Sequence, residues 1–141
     1  MTHDVVDVAR SWIGTPYVHQ ASTQGAGADC LGLVRGVWRA LHGEEPELIP
    51  AYTSDWSEPQ GQEQLWQAAE RHLKRVTRTE DHAGDVILFR MRDGAVAKHL
   101  GIVSQGGGQP RFIHAYTGHG VVESPLSDPW RKRIVAHFVF R

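Results

Sequence analysis

A chain of 141 residues with 40% hydrophobic content and five tryptophans is long enough for a single domain with one sizeable core, needing neither metal nor disulfide to hold it. A formal net charge of −1, with the arginines scattered, lacks the electrostatic footprint that nucleic-acid binding requires. One cysteine excludes an intramolecular disulfide, and no run approaches the roughly 18 apolar residues of a membrane span, so no membrane insertion is expected.

Met1-Thr2-His3-Asp4 lacks the basic region and apolar run of a secretion signal, so the expectation is synthesis in the cytoplasm without a signal peptide. A substrate outside the cytoplasm would then need a separate carrier. Residues 4–13 read as an amphipathic helix with Val5, Val6, Ala9 and Ile13 on one face and Asp4 as N-cap, ended by Gly14-Thr15-Pro16. The Gly-, Ser-, Thr- and Gln-rich loop from Tyr17 to Ala28 has the composition of a substrate-lining loop. It delivers the chain to a second helix, about 29–42, marked by Leu31, Val34, Trp38 and Leu41 and closed by Gly43. Residues 44–60 carry Pro46, Pro50 and Pro59 around Tyr52 and Trp56 and read as a surface excursion, followed by a helix over 62–74 striped with Leu65, Trp66, Ala69 and Leu73.

From Gly84 the period changes. Residues 85–90, 99–104, 111–116, 120–124 and 134–140 are short runs rich in Val, Ile and Phe, separated by turns such as Arg92-Asp93-Gly94 and Gly106-Gly107-Gly108. Helices followed by strands indicate an α+β domain, N-terminal helices packed on a C-terminal antiparallel β-sheet. No internal repeat or linker divides residues 1–141.

Cys30 falls in the first turn of the second helix, where unpaired backbone N–H groups and the helix dipole favour the thiolate, the nucleophilic form. A lone helical cysteine is more often a small buried hydrophobe than a nucleophile, and a catalytic one needs a histidine base and an orienting group. Of the nine histidines, His99 and His114 flank the triple-glycine turn. A hairpin centred between Gly106 and Gly107 puts them directly opposite on one sheet face, and a register slip of two keeps them on that face but offset. The roles that follow are Cys30 nucleophile, His99 general base and then acid, and His114 holding the His99 ring. The same three residues allow a zinc site with an open position, although no short paired ligand spacing or obvious carboxylate base accompanies them. No metal or other cofactor is therefore expected. The remaining histidines read as surface or structural, with His19 and His119 candidates for the cleft.

With these residues in place the chain resembles the NlpC/P60 family of papain-like cell-wall peptidases along most of its length. Gly14-Thr15-Pro16-Tyr17, Asp29-Cys30-Leu31-Gly32-Leu33-Val34, Gly84-Asp85-Val86-Ile87-Leu88-Phe89, His99-Leu100-Gly101-Ile102-Val103 and Phe112-Ile113-His114-Ala115 resemble the family's motifs in the family's order. The resemblance implies hydrolysis of peptidoglycan stem peptides, commonly between D-glutamate, through its γ-carboxyl, and meso-diaminopimelate. The thiolate would attack, the backbone N–H of Cys30 would meet the oxyanion, and water activated by His99 would release the thioacyl enzyme. Tyr17 maps onto the family's tyrosine, as an oxyanion aid or a packed aromatic, and Asp29 onto a position near the substrate's amino group, or simply an N-cap.

The run from Cys30 to Trp38 looks most like the subgroup encoded with phage tails and gene transfer agents, which implies tail proteins as partners and action on the wall from a virion-like particle. Leu31 stands where the family usually has Ser, and residues 44–60 are longer than a minimal member requires, shaping the cleft or docking a tail protein. Two other classes remain at this stage: a structural tail component that keeps the fold, and a thiol-dependent amidase or acyltransferase on another substrate.

Overall fold

A computed structural model describes residues 2–45 and 63–141. Helix α1 (Thr2–Ser11) starts two residues before Asp4, so Asp4 lies in the first turn rather than at the N-cap. Val5, Val6 and Ala9 are buried as expected, but Ile13 is 44% exposed and Trp12 takes its place in the core. The reason is local: Trp12 and Ile13 donate to carbonyls three residues back, Ala9 and Arg10, and this tighter winding rotates Ile13 off the stripe.

The loop that follows is folded on itself. Strands β1 (Ser22–Thr23) and β2 (Gly27–Ala28) form a small antiparallel ladder, and Tyr17 bridges to Ala28. Helix α2 (Cys30–His42) is capped by Asp29, whose carboxylate accepts from Gly32 N at 2.7 Å, and it ends at Gly43, whose φ of 87° suits glycine. Its fully buried stripe is Leu33 and Val37 with Cys30 and Val34 beside them; Leu31, Trp38 and Leu41 only flank the core, so the buried face is rotated from the expected one. Gly32 and Gly36, each costing a helix interior roughly 0.5–1 kcal/mol against Ala, are explained by close approach. A Cβ at Gly32 would collide with the Ala21 carbonyl oxygen, and one at Gly36 with the Trp12 indole.

The expected excursion over 44–60 lies, but for Glu44 and Glu45, outside the described residues. Glu45 pairs with Arg35 at 2.6 Å and Arg39 at 3.0 Å on α2. Helix α3 (Gln64–His72) is shorter than the expected 62–74, because residues 74–76 leave it as strand β3 (Lys74–Val76).

The remaining strands are β4 (Val86–Arg90), β5 (Ala97–Gln105), β6 (Arg111–Tyr116), β7 (Gly120–Pro125) and β8 (Ile134–Val139), with a short helix α4 (Asp128–Arg131) before the last. They form a six-stranded antiparallel sheet of order β3-β8-β4-β5-β6-β7. Neither β3 nor α4 has a periodic signal long enough to read from sequence.

The sheet divides two apolar clusters. On one side Leu100, Ile102, Ile113 and Ala115 pack with α1 and α2 residues such as Ala9, Trp12, Leu33 and Val37. On the other, Ile87, Phe89, Val103, Phe112 and Leu126 pack with Trp130 and Ile134.

Candidate functional site

The cysteine helix reaches β5 with its first turn. Cys30 is buried in the helix-side cluster, and its thiol donates to the Lys98 carbonyl at 3.7 Å. Burial pushes the thiol up to about 12, with the Asp29 carboxylate adding to the rise, while the N–H groups of Leu100, Leu31 and Cys30 itself pull the other way. The thiolate expected from the helix start is therefore not the resting form: the helix amides act in the expected direction, and desolvation outweighs them.

His99 and His114 lie on the other face, among the aromatic rings. Their register differs from direct opposition. Ile102 pairs with Ile113 and Val103 with Phe112, a shift of two positions, and the ladder slips again between Val103 and Gln105. The rings are thus offset on one face, and His99 Nε2 and His114 Nδ1 stand 2.8 Å apart, within hydrogen-bond distance. Gly101 makes room beneath them, since a Cβ there would come within 2.7 Å of the Phe112 ring.

Burial lowers His99 to about 3, with the neighbouring His114 adding to it, and lowers His114 to about 4, with His119 contributing. Both imidazoles are neutral near pH 7, so one proton lies in the bond between them. If His99 Nε2 donates it, His99 Nδ1 keeps a lone pair, and His114 Nε2 carries the proton that reaches Ser124 Oγ at 3.0 Å. That chain of donors leaves His99 able to accept a proton from the cleft.

A cleft of about 170 Å³ joins the two sides at the end of β5. Tyr17, Asp29, Cys30 and His99 all line it, together with Lys98 and Tyr116. His114 does not: it is 1% exposed and sits behind His99. His19, one of the two further cleft candidates, lines the cleft as well, whereas His119 is not in the lining, so the sequence pointed to five residues of one cavity and to the residue that backs the histidine.

Asp29 is doubly engaged, accepting from Gly32 N through Oδ1 and from Gln20 N through Oδ2, each at 2.7 Å, with His19 Nδ1 3.8 Å from Oδ2. Its capping role is realised, and it also pins the loop at Gln20, a non-glycine residue with φ of 65°. The Tyr17 hydroxyl is raised by burial and by Cys30, and it hydrogen-bonds Thr117.

Ser124 and Trp130 were missed. Ser124 is the β7 residue opposite Phe112, which only the register shows. The zinc arrangement does not fit, because two nitrogens on one tetrahedral zinc stand about 3.3 Å apart at ordinary zinc–nitrogen lengths, and these two are in direct hydrogen-bond contact.

A cysteine at a helix start and a sheet histidine backed by a second one, the first two meeting in one cleft, define a thiol–imidazole site on a helix-and-sheet scaffold. The NlpC/P60 family profile matches residues 14–139, and the chain belongs to that family.

The chain is 32% identical over 130 residues to the murein DD-endopeptidase MepS/murein LD-carboxypeptidase of Escherichia coli, covering 92% of this chain and 57% of that protein. It is 33% identical over 131 residues to the gamma-DL-glutamyl hydrolase of Bacillus subtilis, covering 92% of this chain and 27% of that protein. The chain thus spans little more than half of the first relative and about a quarter of the second. Among solved structures, the NlpC/P60 domain of the peptidoglycan hydrolase SagA superposes with a TM-score of 0.65 at 23% identity, covering 99% of both chains, which shows the fold. An NlpC/P60 family protein from Bacillus cereus gives a TM-score of 0.68 at 19% identity over 99% of this chain and 40% of its own.

Proposed function

We propose that the chain is a cysteine peptidase that cuts peptide bonds in peptidoglycan stems. The observation that carries this reading is the shared cleft, in which Cys30 and a His99 backed by His114 at 2.8 Å form one lining. Cys30 is the nucleophile, His99 the base and then the acid, and His114 the residue that orients His99. Because the resting pair is thiol and neutral imidazole, the proton leaves Sγ for His99 as the sulfur attacks, after the thiol turns from the Lys98 carbonyl. The negative oxygen of the tetrahedral intermediate is met by the Cys30 backbone N–H at the start of α2, with the Tyr17 hydroxyl as a second donor. Collapse expels the amine with a proton from His99. Water, deprotonated by His99, then releases the acyl group from Sγ.

The bond we assign is that between D-glutamate, through its γ-carboxyl, and meso-diaminopimelate. The γ-glutamyl bond in the name of the Bacillus subtilis relative supports it, whereas the name of the Escherichia coli relative points to a DD bond. Leu31 follows the nucleophile, and it removes the hydroxyl that a serine would offer to the substrate. We further propose that the protein reaches the wall with a phage-tail or gene-transfer-agent particle, on the resemblance of the run from Cys30 to Trp38.

Mass spectrometry of purified muropeptides after incubation with wild type and Cys30→Ala tests the reading. Stem fragments made by wild type alone support it and name the bond. Intact muropeptides together with a Cys30 that resists alkylation even in denaturant-free alkali would sink it.

A further inference from the structure

Trp130 has no task in the mechanism above, yet its indole meets five aromatic rings. It stacks on His99 with centroids 5.5 Å apart and planes at 27°, and it stands edge-on to His114 at 5.0 Å and 84°. Tyr116, Phe89 and Phe112 surround it at 5.5, 5.4 and 5.3 Å. The helix that carries it is one turn long and tied down from both sides. Leu126, buried ahead of it, donates its N–H to the Pro110 carbonyl, and Arg131 reaches Asp81 at 2.8 Å. The Arg133 guanidinium lies over the indole, 5.8 Å from the ring centroid.

An imidazole on a strand can change which nitrogen it points at a partner, and it can tilt. The bond to His114 fixes the first of these but tolerates some tilt, because hydrogen bonds weaken steeply only at large angles. A flat indole laid nearly parallel to the ring opposes the tilt, and among the described residues His99 has no other ring stacked so nearly parallel.

We propose that Trp130 is a positioning residue for the His99–His114 pair: its indole sets the plane of the His99 ring and, with Phe89 and Tyr116, keeps water from the bond between the two imidazoles. The inference rests on His99 being the base. Among the described residues, the titratable and charged groups around the pair are Tyr17 and His19 on the loop before α2, Cys30 and Asp29 at its start, Lys98 on β5, Tyr116 and His119 from β6 and the turn after it, and Arg133 beyond the indole. A substitution at Trp130 removes none of them, although it takes away the ring that Arg133 covers.

The test uses Trp130→Phe, Trp130→Leu and Trp130→Ala in the full chain, with two readouts. The first needs no substrate: nitrogen NMR of the histidine side chains reports the tautomer of His99 and the pH at which it titrates. The second is kcat and KM on muropeptides. Leu keeps apolar bulk but no flat face, so Trp130→Leu should move the His99 titration upward, towards the ordinary imidazole range. It should also lower kcat about ten- to a hundredfold with KM nearly constant, the scale that misplaced reacting groups produce. Trp130→Phe should restore most of both, and Trp130→Ala should be the most severe. A folded Trp130→Leu whose His99 keeps the wild-type tautomer and titration overturns the proposal. If that variant does not fold, Trp130→Met, which also keeps apolar bulk without a flat face, takes its place, and an unshifted His99 in it, with kcat reduced only as much as the folded fraction, overturns the proposal as well. A wild-type protein that leaves muropeptides intact and whose Cys30 resists alkylation sinks the assigned function, while the NMR titration still decides the role of Trp130.

Discussion

The two faces of the sheet are built from different chemistry. The helix side is mostly aliphatic, with Leu33, Val37, Leu100, Ile102 and Ile113 close-packed between α2 and the strands, and Trp12 and Phe138 as its buried rings among the described residues. The opposite side is aromatic, a nest of Phe89, Phe112, Trp130 and Tyr116 around two histidines. Cys30 belongs to the first and His99 to the second, and they share only the cleft at the end of β5. An aliphatic layer fixes a backbone, here the start of α2, without contacting polar atoms. An aromatic layer can bury an imidazole while holding it by ring contacts, so that its one strong hydrogen bond is left for its partner. The price of this dry arrangement is the resting state: thiol and imidazole are both neutral, and the ion pair must be formed during the reaction.

Single substitutions separate the two sides. Removing the chemistry itself has the largest effect: Cys30→Ala and His99→Ala should each lower kcat/KM more than about 10³-fold in the muropeptide assay, with melting temperatures near wild type for Cys30→Ala. His114→Ala should cost less, about 10- to 100-fold, because it touches His99 and not the substrate, and His114→Asn should recover part of the loss by accepting from His99 Nε2. Equal losses at His99 and His114 would show that His114 does more than orient.

Glycines test packing on each side in the same way. Gly36→Ala drives a methyl into the Trp12 indole on the aliphatic side, and Gly101→Ala drives one to within 2.7 Å of Phe112 on the aromatic side. Both should destabilise by about 1–3 kcal/mol in denaturant titrations. Only Gly101→Ala should also lower kcat, since the displaced Phe112 ring lies 4.2 Å from His114, centroid to centroid. Loss of activity from Gly36→Ala beyond its loss of folded protein would contradict the division.

The aliphatic side was legible because periodicity reports it: α1, α2 and five of the strands follow from the spacing of Val, Ile and Leu. What periodicity could not give was rotation and termination. Ile13 was displaced by Trp12 when the helix tightened, and Leu31 yielded the core to Leu33, because a stripe several positions wide admits either choice until the partner surface is known. On the aromatic side, the common face of His99 and His114 was readable from the alternation of strand residues, but their offset was set by a bulge that no loop symmetry reveals. Trp130 and Ser124 were unreadable for a related reason. A one-turn helix has no period, and a strand serine gains its meaning only from the register that sets it beside His114. The state of the thiol was misread because a helix start is a local feature, whereas desolvation depends on everything packed around Cys30.

The pH dependence of stability sharpens the comparison further, because only the aromatic side buries neutral histidines. His99 and His114 are depressed to about 3 and about 4 in the fold, against about 6.5 in an unfolded chain. Their contribution is fully present above about pH 6.5 and is lost as pH falls, each histidine adding a slope of up to about 1.4 kcal/mol per pH unit. The melting temperature should therefore hold from pH 8 to 7 and fall from about pH 6 downward, before carboxylates titrate. His114→Asn should flatten that fall. His137, lowered by burial on β8, contributes with the same sign, and His137→Gln measures its share separately. A melting temperature flat from pH 7 to 5 would mean that the pair takes up protons as readily folded as unfolded.

The smallest expected effect lies at the junction, in Asp29→Asn. The carboxylate now accepts from two backbone N–H groups, and its charge helps to raise the thiol. Asparagine offers one carbonyl oxygen for two donors, so either the cap on Gly32 or the tie to Gln20 is lost, costing about 1 kcal/mol. Removal of the charge acts on the thiol in the opposite sense: Cys30 titrates lower, and alkylation at a fixed alkaline pH should speed up by severalfold in a protein that is slightly less stable. Comparing Asp29→Asn with Asp29→Ser separates the two causes, since serine keeps a capping oxygen on a shorter side chain and also lacks the charge. If both variants alkylate faster while only one is destabilised, the reactivity of Cys30 is set by the charge of Asp29 and not by fraying of the helix start. If reactivity instead follows stability across the two, the cap holds the thiol buried, and the electrostatic share is negligible beside desolvation.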